Sequence, residues 1–176
     1  MIFESLDLKG AYLIKPELHE DERGFFARSF CKKEFQEQGL INEFIQCNIS
    51  YNKSKGTLRG MHYQLPPHEE IKLVRCTKGS IYDVIVDLRK NSPTRGKWLD
   101  IEINEDNRHM IYIPEGFAHG YISLVNDTEV FYQMSTYYDA DSVSGFCWND
   151  PVINIKWPIE NIIVSEKDQT LPSLEI

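Results

Sequence analysis

Along most of the chain, apolar and polar positions alternate with a period of two, in short runs broken by turn formers roughly every 8 to 12 residues, the rhythm of an all-β protein. The breaks include Asp21-Glu22-Arg23-Gly24, Lys78-Gly79, Ser92-Pro93-Thr94, Asn104-Glu105-Asp106-Asn107, Pro114-Glu115-Gly116 and Asn126-Asp127. The intervening runs are rich in β-branched and aromatic residues, which fit a pleated, half-buried surface. They predict strands at Tyr12–Ile14, Phe25–Phe30, Phe44–Ile49, Leu58–Tyr63, Ile71–Cys76, Ile81–Leu88, Trp98–Ile103, Met110–Ile113, Tyr121–Leu124 and Glu129–Met134. One short helix is predicted over Lys32–Gln38, with Cys31 and Phe35 on one face and Gly39 as its left-handed C-terminal cap. A second short helix is expected near the C-terminus. Many short strands and little helix predict an all-β antiparallel jelly-roll barrel, one domain over residues 1–176.

The run Ile81–Leu88 carries two different faces. Tyr82, Val84, Val86 and Leu88 form one, which is expected to pack in a core; Ile81, Asp83, Ile85 and Asp87 form the other. If Lys78-Gly79 is a two-residue hairpin turn, Thr77 pairs with Ser80, and Lys72 and Asp83 become diagonal neighbours on one face. Such a pair is costly inside a small barrel unless the interior is a wet, polar cavity; the alternative is an exposed sheet face.

Composition narrows the function. The chain has 176 residues, 41% of them hydrophobic, which suffices for a core without staples. With 19 basic and 27 acidic side chains the net charge is -8. That argues against bulk electrostatic binding of nucleic acid or an anionic membrane, while a local basic pocket for phosphate remains open. No apolar run approaches membrane-spanning length, and Met1–Ser5 lacks the basic-then-apolar pattern of a signal peptide, so a cytoplasmic protein is expected. Cys31, Cys47, Cys76 and Cys147 show no Cys-x-x-Cys spacing and are expected to be buried or half-buried free thiols.

Functional groups are densest at Leu58-Arg59-Gly60-Met61-His62-Tyr63-Gln64. On a regular strand Arg59 points away from His62, unless Gly60 bulges and re-aims one of them. His62 can exchange a proton near neutral pH. Pro114-Glu115-Gly116-Phe117-Ala118-His119 is similar to the second half-motif of the cupin barrels, but the first half-motif lacks its second histidine. His62, His119 and Glu69 or His68 are then the available metal ligands, and no metal is expected. No Gly-x-Ser-x-Gly elbow supports a serine nucleophile.

Stretches in order over nearly the whole chain resemble the dTDP-4-dehydrorhamnose 3,5-epimerase family, whose barrel is cupin-like. They are residues 21–26 (Asp-Glu-Arg-Gly-Phe-Phe), Gln46-x-Asn48-x-Ser50, residues 58–64, Lys72-Leu73-Val74-Arg75, residues 83–89, residues 113–120, Tyr137-Tyr138, Trp148-Asn149-Asp150-Pro151, Trp157-Pro158 and Ser165-Glu166-Lys167-Asp168.

The resemblance implies an epimerase of a nucleoside-diphosphate-linked 4-keto-6-deoxyhexose that uses no cofactor. The protons beside the ketone are acidic because the carbanion delocalises into it; a base on one face, an acid on the other and a donor at the enolate oxygen suffice. By resemblance His62 is the base, Asp168 its carboxylate partner, Tyr132 the proton donor, and Lys72 the cation near the keto oxygen, with Asp83 able to hold the Lys72 ammonium. His119 and Arg59 match substrate-binding positions; Arg23, Phe26, Gln46, Asn48 and Lys167 match positions near the nucleotide, and Tyr138 the aromatic that stacks on the base. Family members are homodimers that exchange an N-terminal strand, so residues 23–26 would reach the neighbouring subunit's site. Three positions depart from the pattern. Arg28 stands where the family has a ligand-contacting Glu, Val143 where it often has a Glu, and Cys47 where it has Asp; the segment 49–54 reads as a longer loop. These changes leave open a single-carbon epimerase, a different nucleotide sugar, or a non-catalytic sugar-nucleotide sensor.

Overall fold

In the computed structural model, which describes residues 1–175, the period-two runs pair into two stacked sheets. The first has the order β1 (Ile2–Ser5), β2 (Tyr12–Lys15), β10 (Met110–Ile113), β7 (Lys72–Lys78), β12 (Thr128–Met134) and β5 (Gln46–Asn52). The second has β13 (Val143–Gly145), β6 (Thr57–Gln64), β11 (Phe117–Ser123), β8 (Ser80–Asp87) and β9 (Trp98–Asn104). These pairings are antiparallel; β14 (Ile163–Val164) adds to β6 in parallel. β3 (Leu18–Asp21) and β4 (Gly24–Ala27) form a separate hairpin, and the helices are α1 (Lys32–Glu37) and α2 (Glu166–Gln169). The expected antiparallel, cupin-like β fold with two short helices is the fold observed.

Alternation along each strand fills three apolar layers. Between the sheets, Val74, Cys76, Ile111, Ile113 and Val130 from one side meet Ile81, Ile85, Ile103, Phe117 and Tyr121 from the other. Outside the second sheet, Met61, Val84, Val86 and Ala118 are covered by Phe146, Ile153 and Ile155 of the C-terminal segment. Outside the first, α1 lays Phe35 on Ile14, Leu73, Met110 and Tyr112. At the end of α1, Gly39 (φ +70°) takes the left-handed cap position, with its N–H on the Gln36 carbonyl and that of Leu40 on Phe35. Cys31 is the N-cap, with extended backbone, rather than a member of the Phe35 face.

Several expectations are corrected. β7 and β8 do not form a hairpin: Lys78-Gly79 is a corner where the chain leaves one sheet for the other, so Thr77 does not pair with Ser80. Gly79 (φ +79°) is required there, since a Cβ would stand 2.6 Å from Thr128 Oγ1. Both faces of β8 are buried: Tyr82, Val84 and Val86 lie under the C-terminal segment, and the mixed Ile81–Asp83–Ile85 face looks into the barrel. The polar-interior alternative is the one observed, without the Lys72–Asp83 pair. β5 continues to Asn52, so the presumed loop at 49–54 is mostly strand, and β11 begins at Phe117 rather than Tyr121. Cys47 is exposed because it alternates outward on β5; Cys76 is buried, and all four cysteines are free thiols.

Candidate active site

A cavity of about 440 Å³ opens at one end of the barrel interior, lined by Ile49, Ser50, Arg59, His62, Lys72, His119, Tyr121, Tyr132, Ser165, Lys167 and Asp168. Lys72 and Tyr132 come from the first sheet, and Arg59, His62, His119 and Tyr121 from the second. The stretch Ser165–Asp168 approaches from the C-terminal segment. A larger groove of about 760 Å³, which includes Leu65, Pro66, Leu88 and Arg95, contains none of His62, Tyr132 and Asp168.

A bulge puts Arg59 and His62 on the same side. In the β6–β11 ladder His119 lies opposite His62, but Tyr121 lies opposite Arg59, so β6 spends one extra residue there. Gly60 (φ +139°) takes up the deviation, and a Cβ on it would meet the Gly120 Cα at 2.5 Å. This is the conditional the sequence left open.

Three basic groups in the cavity each have a carboxylate behind them. His62 Nε2 lies 2.7 Å from Asp168 Oδ1. The Asp168 side chain is 7% exposed and that of His62 38%. Burial pushes the Asp168 carboxyl up, but the contacts from His62, the Gly60 N–H and Ser165 outweigh it and hold the acid below the ordinary range. α2 supplies this acid through a local rule: Ser165 caps the helix, its Oγ accepting from the Asp168 N–H at 3.1 Å. His119 Nε2 lies 2.8 Å from Asp83 Oδ2, and Asp83 is fully buried. Lys72 Nζ contacts Glu70, a residue the sequence did not single out. The expected link between Asp83 and Lys72 is therefore replaced by two others, because β7 and β8 lie on different sheets.

The remaining side chains form the walls. The Tyr132 hydroxyl is raised by burial above the ordinary phenol range, which keeps its proton on. Tyr121 gives a hydrogen bond to Ser50 Oγ (2.8 Å) and takes one from Asn52 (3.3 Å). Arg59 Nε donates to Asn52 Oδ1 at 2.9 Å and its Nη2 to the Tyr51 carbonyl at 3.2 Å, bonds that fix the guanidinium at the cavity wall. Tyr121 and Ser50 were also missed; each lies two residues from a named candidate on its strand (His119, Asn48), which is the signal that would have found them.

The other candidates are distributed around this centre. Gln46 and Asn48 share the inward face of β5, and the Tyr138 N–H donates to Gln46 Oε1 at 3.0 Å, so these three form one cluster with the Tyr138 ring exposed. Arg23, Phe26 and Arg28 are not in the cavity of their own chain. Arg23 pairs with Asp21 at 2.5 Å, Phe26 is 73% exposed, and Arg28 pairs with Glu34 at 2.5 Å. Val143, on β13, pairs with Gln64 of β6. Among the described residues, no three His, Cys, Asp or Glu side chains gather in a metal-binding group.

A cupin-like barrel whose mouth collects two histidine–carboxylate pairs, a buried lysine and a protonated tyrosine has the equipment of an acid–base enzyme. The chain belongs to the dTDP-4-dehydrorhamnose 3,5-epimerase family, whose model matches residues 5–175. It is 44% identical over 163 residues to the dTDP-4-dehydrorhamnose 3,5-epimerase of Shigella flexneri, covering 92% of this chain and 90% of that one. The crystal structure of the Bacillus anthracis dTDP-4-dehydrorhamnose 3,5-epimerase, with TDP and PPi bound, superposes with a TM-score of 0.96 at 43% identity, over 98% of this chain and 99% of that one. The Legionella pneumophila dTDP-6-deoxy-D-glucose-3,5-epimerase, in complex with dTDP-4-keto-L-rhamnose, superposes at 0.91 with 33% identity over 99% of both. No helix among the described residues is long and apolar enough to cross a membrane.

Proposed function

We propose that the protein epimerises a nucleoside-diphosphate-linked 4-keto-6-deoxyhexose of the dTDP-4-dehydrorhamnose type, inverting carbons 3 and 5 through enolates and without a cofactor. The observation that carries this is the placement of a carboxylate-backed imidazole and a protonated phenol on opposite sheets of one cavity. With Asp168 on Nε2, the neutral ring carries its proton on that nitrogen, and the Nδ1 lone pair is the base. His62 takes the proton beside the ketone, Asp168 stabilises the imidazolium, and the negative charge moves to the ketone oxygen. Lys72 meets that charge, and His119, held by Asp83, is a wall of the same cavity. Tyr132 gives a proton to the opposite face, and solvent returns one proton to Tyr132 and removes one from His62, which resets the site for the second carbon. Arg59 and Lys167 suit the diphosphate, and Gln46, Asn48 and Tyr138 the nucleoside.

The assay is NMR of a panel of 4-keto nucleotide sugars in deuterated water. Deuterium should enter at carbons 3 and 5 with the wild type and at neither with His62→Ala; exchange by that variant at the wild-type rate sinks the assignment. Deuterium at one carbon alone would make it a single-carbon epimerase.

A homodimer with exchanged N-terminal strands, in the cytosol, belongs to the same proposal. The β3–β4 hairpin exposes Phe25 (47%) and Phe26 (73%), and the edge strand β5 exposes Ile49 (66%) and Tyr51 (51%). An isolated hairpin and an apolar edge strand both need cover. A second copy would bring Arg23, Phe26 and Arg28 to the neighbouring cavity. Refolding His62→Ala together with Arg23→Ala tests it, because half the sites in each mixed dimer are then intact. Regain of about one quarter of wild-type activity is expected for random pairing, and no regain refutes the exchange.

A further inference from the structure

Glu70 is the least explained acid near the site. Its side chain is 7% exposed, one oxygen contacts Lys72 Nζ, and the other, Oε2, is buried without a hydrogen bond. Two other buried acids are saturated: Asp87 holds Arg89, Ser92 and Thr94, and Asp150 takes the N–H groups of Val152, Ile153 and Leu174; Asp83 also keeps one oxygen without a hydrogen bond, but its other oxygen is engaged by His119. A carboxylate left half-satisfied in the interior costs stability, so the contact with Lys72 calls for a use.

The surroundings of Lys72 supply one. The groups that share its cavity are Tyr132 from β12, Arg59 and His62 from β6, His119 and Tyr121 from β11, and Lys167 and Asp168 from the C-terminal segment; β10 sets only Ile113 beside it. Arg59 and Lys167 are cations and disfavour another. Asp168 is the one carboxylate lining the cavity, and it is spent on His62. Glu70 is thus the carboxylate left to Lys72.

We propose that Glu70 is a positioning residue, which keeps the Lys72 ammonium protonated and aimed into the cavity while leaving its front free for a substrate oxygen. This deepens the epimerase reading and rests on it for the identity of that oxygen. Burial pushes Lys72 down to about 7, where a lysine would be half neutral at physiological pH. The negative charge of Glu70 opposes that shift, and Glu70→Gln keeps the shape while removing the charge.

The test follows the ratio of Glu70→Gln to wild-type deuterium-exchange rates across pH, with the best substrate of the panel. Any pH dependence common to the two proteins cancels in the ratio. The expected ratio stays within about threefold of one at pH near 6 and falls at least about tenfold by pH near 9, as one unit of lysine pKa corresponds to a tenfold change in charged fraction. A ratio that is low but flat across pH is what a merely structural role gives, and it overturns the proposal. A second measurement needs neither activity nor a variant: NMR titration of the Lys72 side chain in the wild-type protein. Lys72 remaining charged to above pH ~9 supports the proposal, and a midpoint near 7 despite Glu70 overturns it. If no 4-keto sugar exchanges deuterium, the epimerase reading fails while the titration still decides the role of Glu70.

Discussion

Asp168→Asn removes one charge and little volume, which makes it a sharp probe of the site. Asp168 Oδ1 stands 2.7 Å from His62 Nε2, and Oδ2 takes the Gly60 N–H at 3.4 Å. Charge centres about 4 Å apart interact by about 4 kcal/mol at an effective dielectric of about 20. His62 is 38% exposed, so solvent screening reduces this; about 2 kcal/mol remains, or roughly 30-fold in the rate of proton abstraction. Asparagine adds a second loss. Its oxygen can face Gly60 or His62, not both. If it faces Gly60, the amide NH2 meets Nε2 and forces the imidazole proton onto Nδ1, the atom that must act as base. If it faces His62, the NH2 opposes the Gly60 N–H. The total should therefore lie between roughly 30-fold and the roughly 10⁴-fold that a general base contributes at most. Deuterium incorporation beside the ketone, followed by NMR near neutral pH, should show kcat falling within that window with KM little changed. Exchange by a folded Asp168→Asn protein within about threefold of wild type would refute the assignment of the His62–Asp168 pair as the base.

Three other outcomes are expected. Tyr132→Phe should still admit deuterium at the acidic carbons but lose net inversion by about 100-fold, read from the ring-proton couplings of the product; undiminished inversion would remove Tyr132 as the donor. Gly60→Ala forces a side chain onto φ +139° and against the Gly120 Cα, so it should cost about 2–3 kcal/mol in denaturant unfolding, and a cost below about 1 kcal/mol would contradict the tight bulge. Asp87 is depressed to about 2, despite its burial, by Arg89, Ser92 and Thr94. A depressed acid stabilises the fold above its unfolded value near 4 and loses that as pH falls through about 2, so Asp87→Asn should cost about 2 kcal/mol at neutral pH and progressively less below pH ~4; a pH-independent difference would reject the charge as the cause.

The sequence carried the strands because alternation and turn residues are local. It did not carry their partners. Lys78-Gly79 between two period-two runs invites a hairpin reading, yet the chain turns out of one sheet into the other, and that depends on strands distant along the chain. The same ignorance misassigned Asp83. It lies opposite Tyr121 in the β8–β11 ladder, with His119 opposite Ile85, so it is the diagonal neighbour of His119, visible only once that pairing is known. The Arg59–His62 juxtaposition was conditional on a bulge, and the glycine that makes it was readable while the extra residue in the ladder was not. Glu70 precedes its strand and has no periodic signal. Arg23, Phe26 and Arg28 lie on a hairpin that touches no part of their own cavity, so no single-chain pattern assigns them an environment.

The cost of the cavity explains its position. At the other end of the same interior Ile81, Ile103, Ile111 and Val130 pack as in any sandwich; charged groups there would lose hydration with nothing in return. At the open end, His62, His119 and Lys72 each carry a carboxylate behind them, from α2, β8 and the turn before β7 respectively. In each histidine pair the carboxylate takes Nε2. Two of the three acids, Asp83 and Glu70, keep a buried oxygen without a hydrogen bond. A fold selected for stability alone would replace such groups with apolar ones. Enolate chemistry gives the reason to keep them: the charge that appears on the ketone oxygen exists only briefly, and donors fixed from behind need no reorganisation when it forms. His62 sits on one sheet and Tyr132 on the other, so under the proposed mechanism the separation of the sheets, set by their packing, holds the two proton-transfer groups on opposite faces of the ring that enters between them.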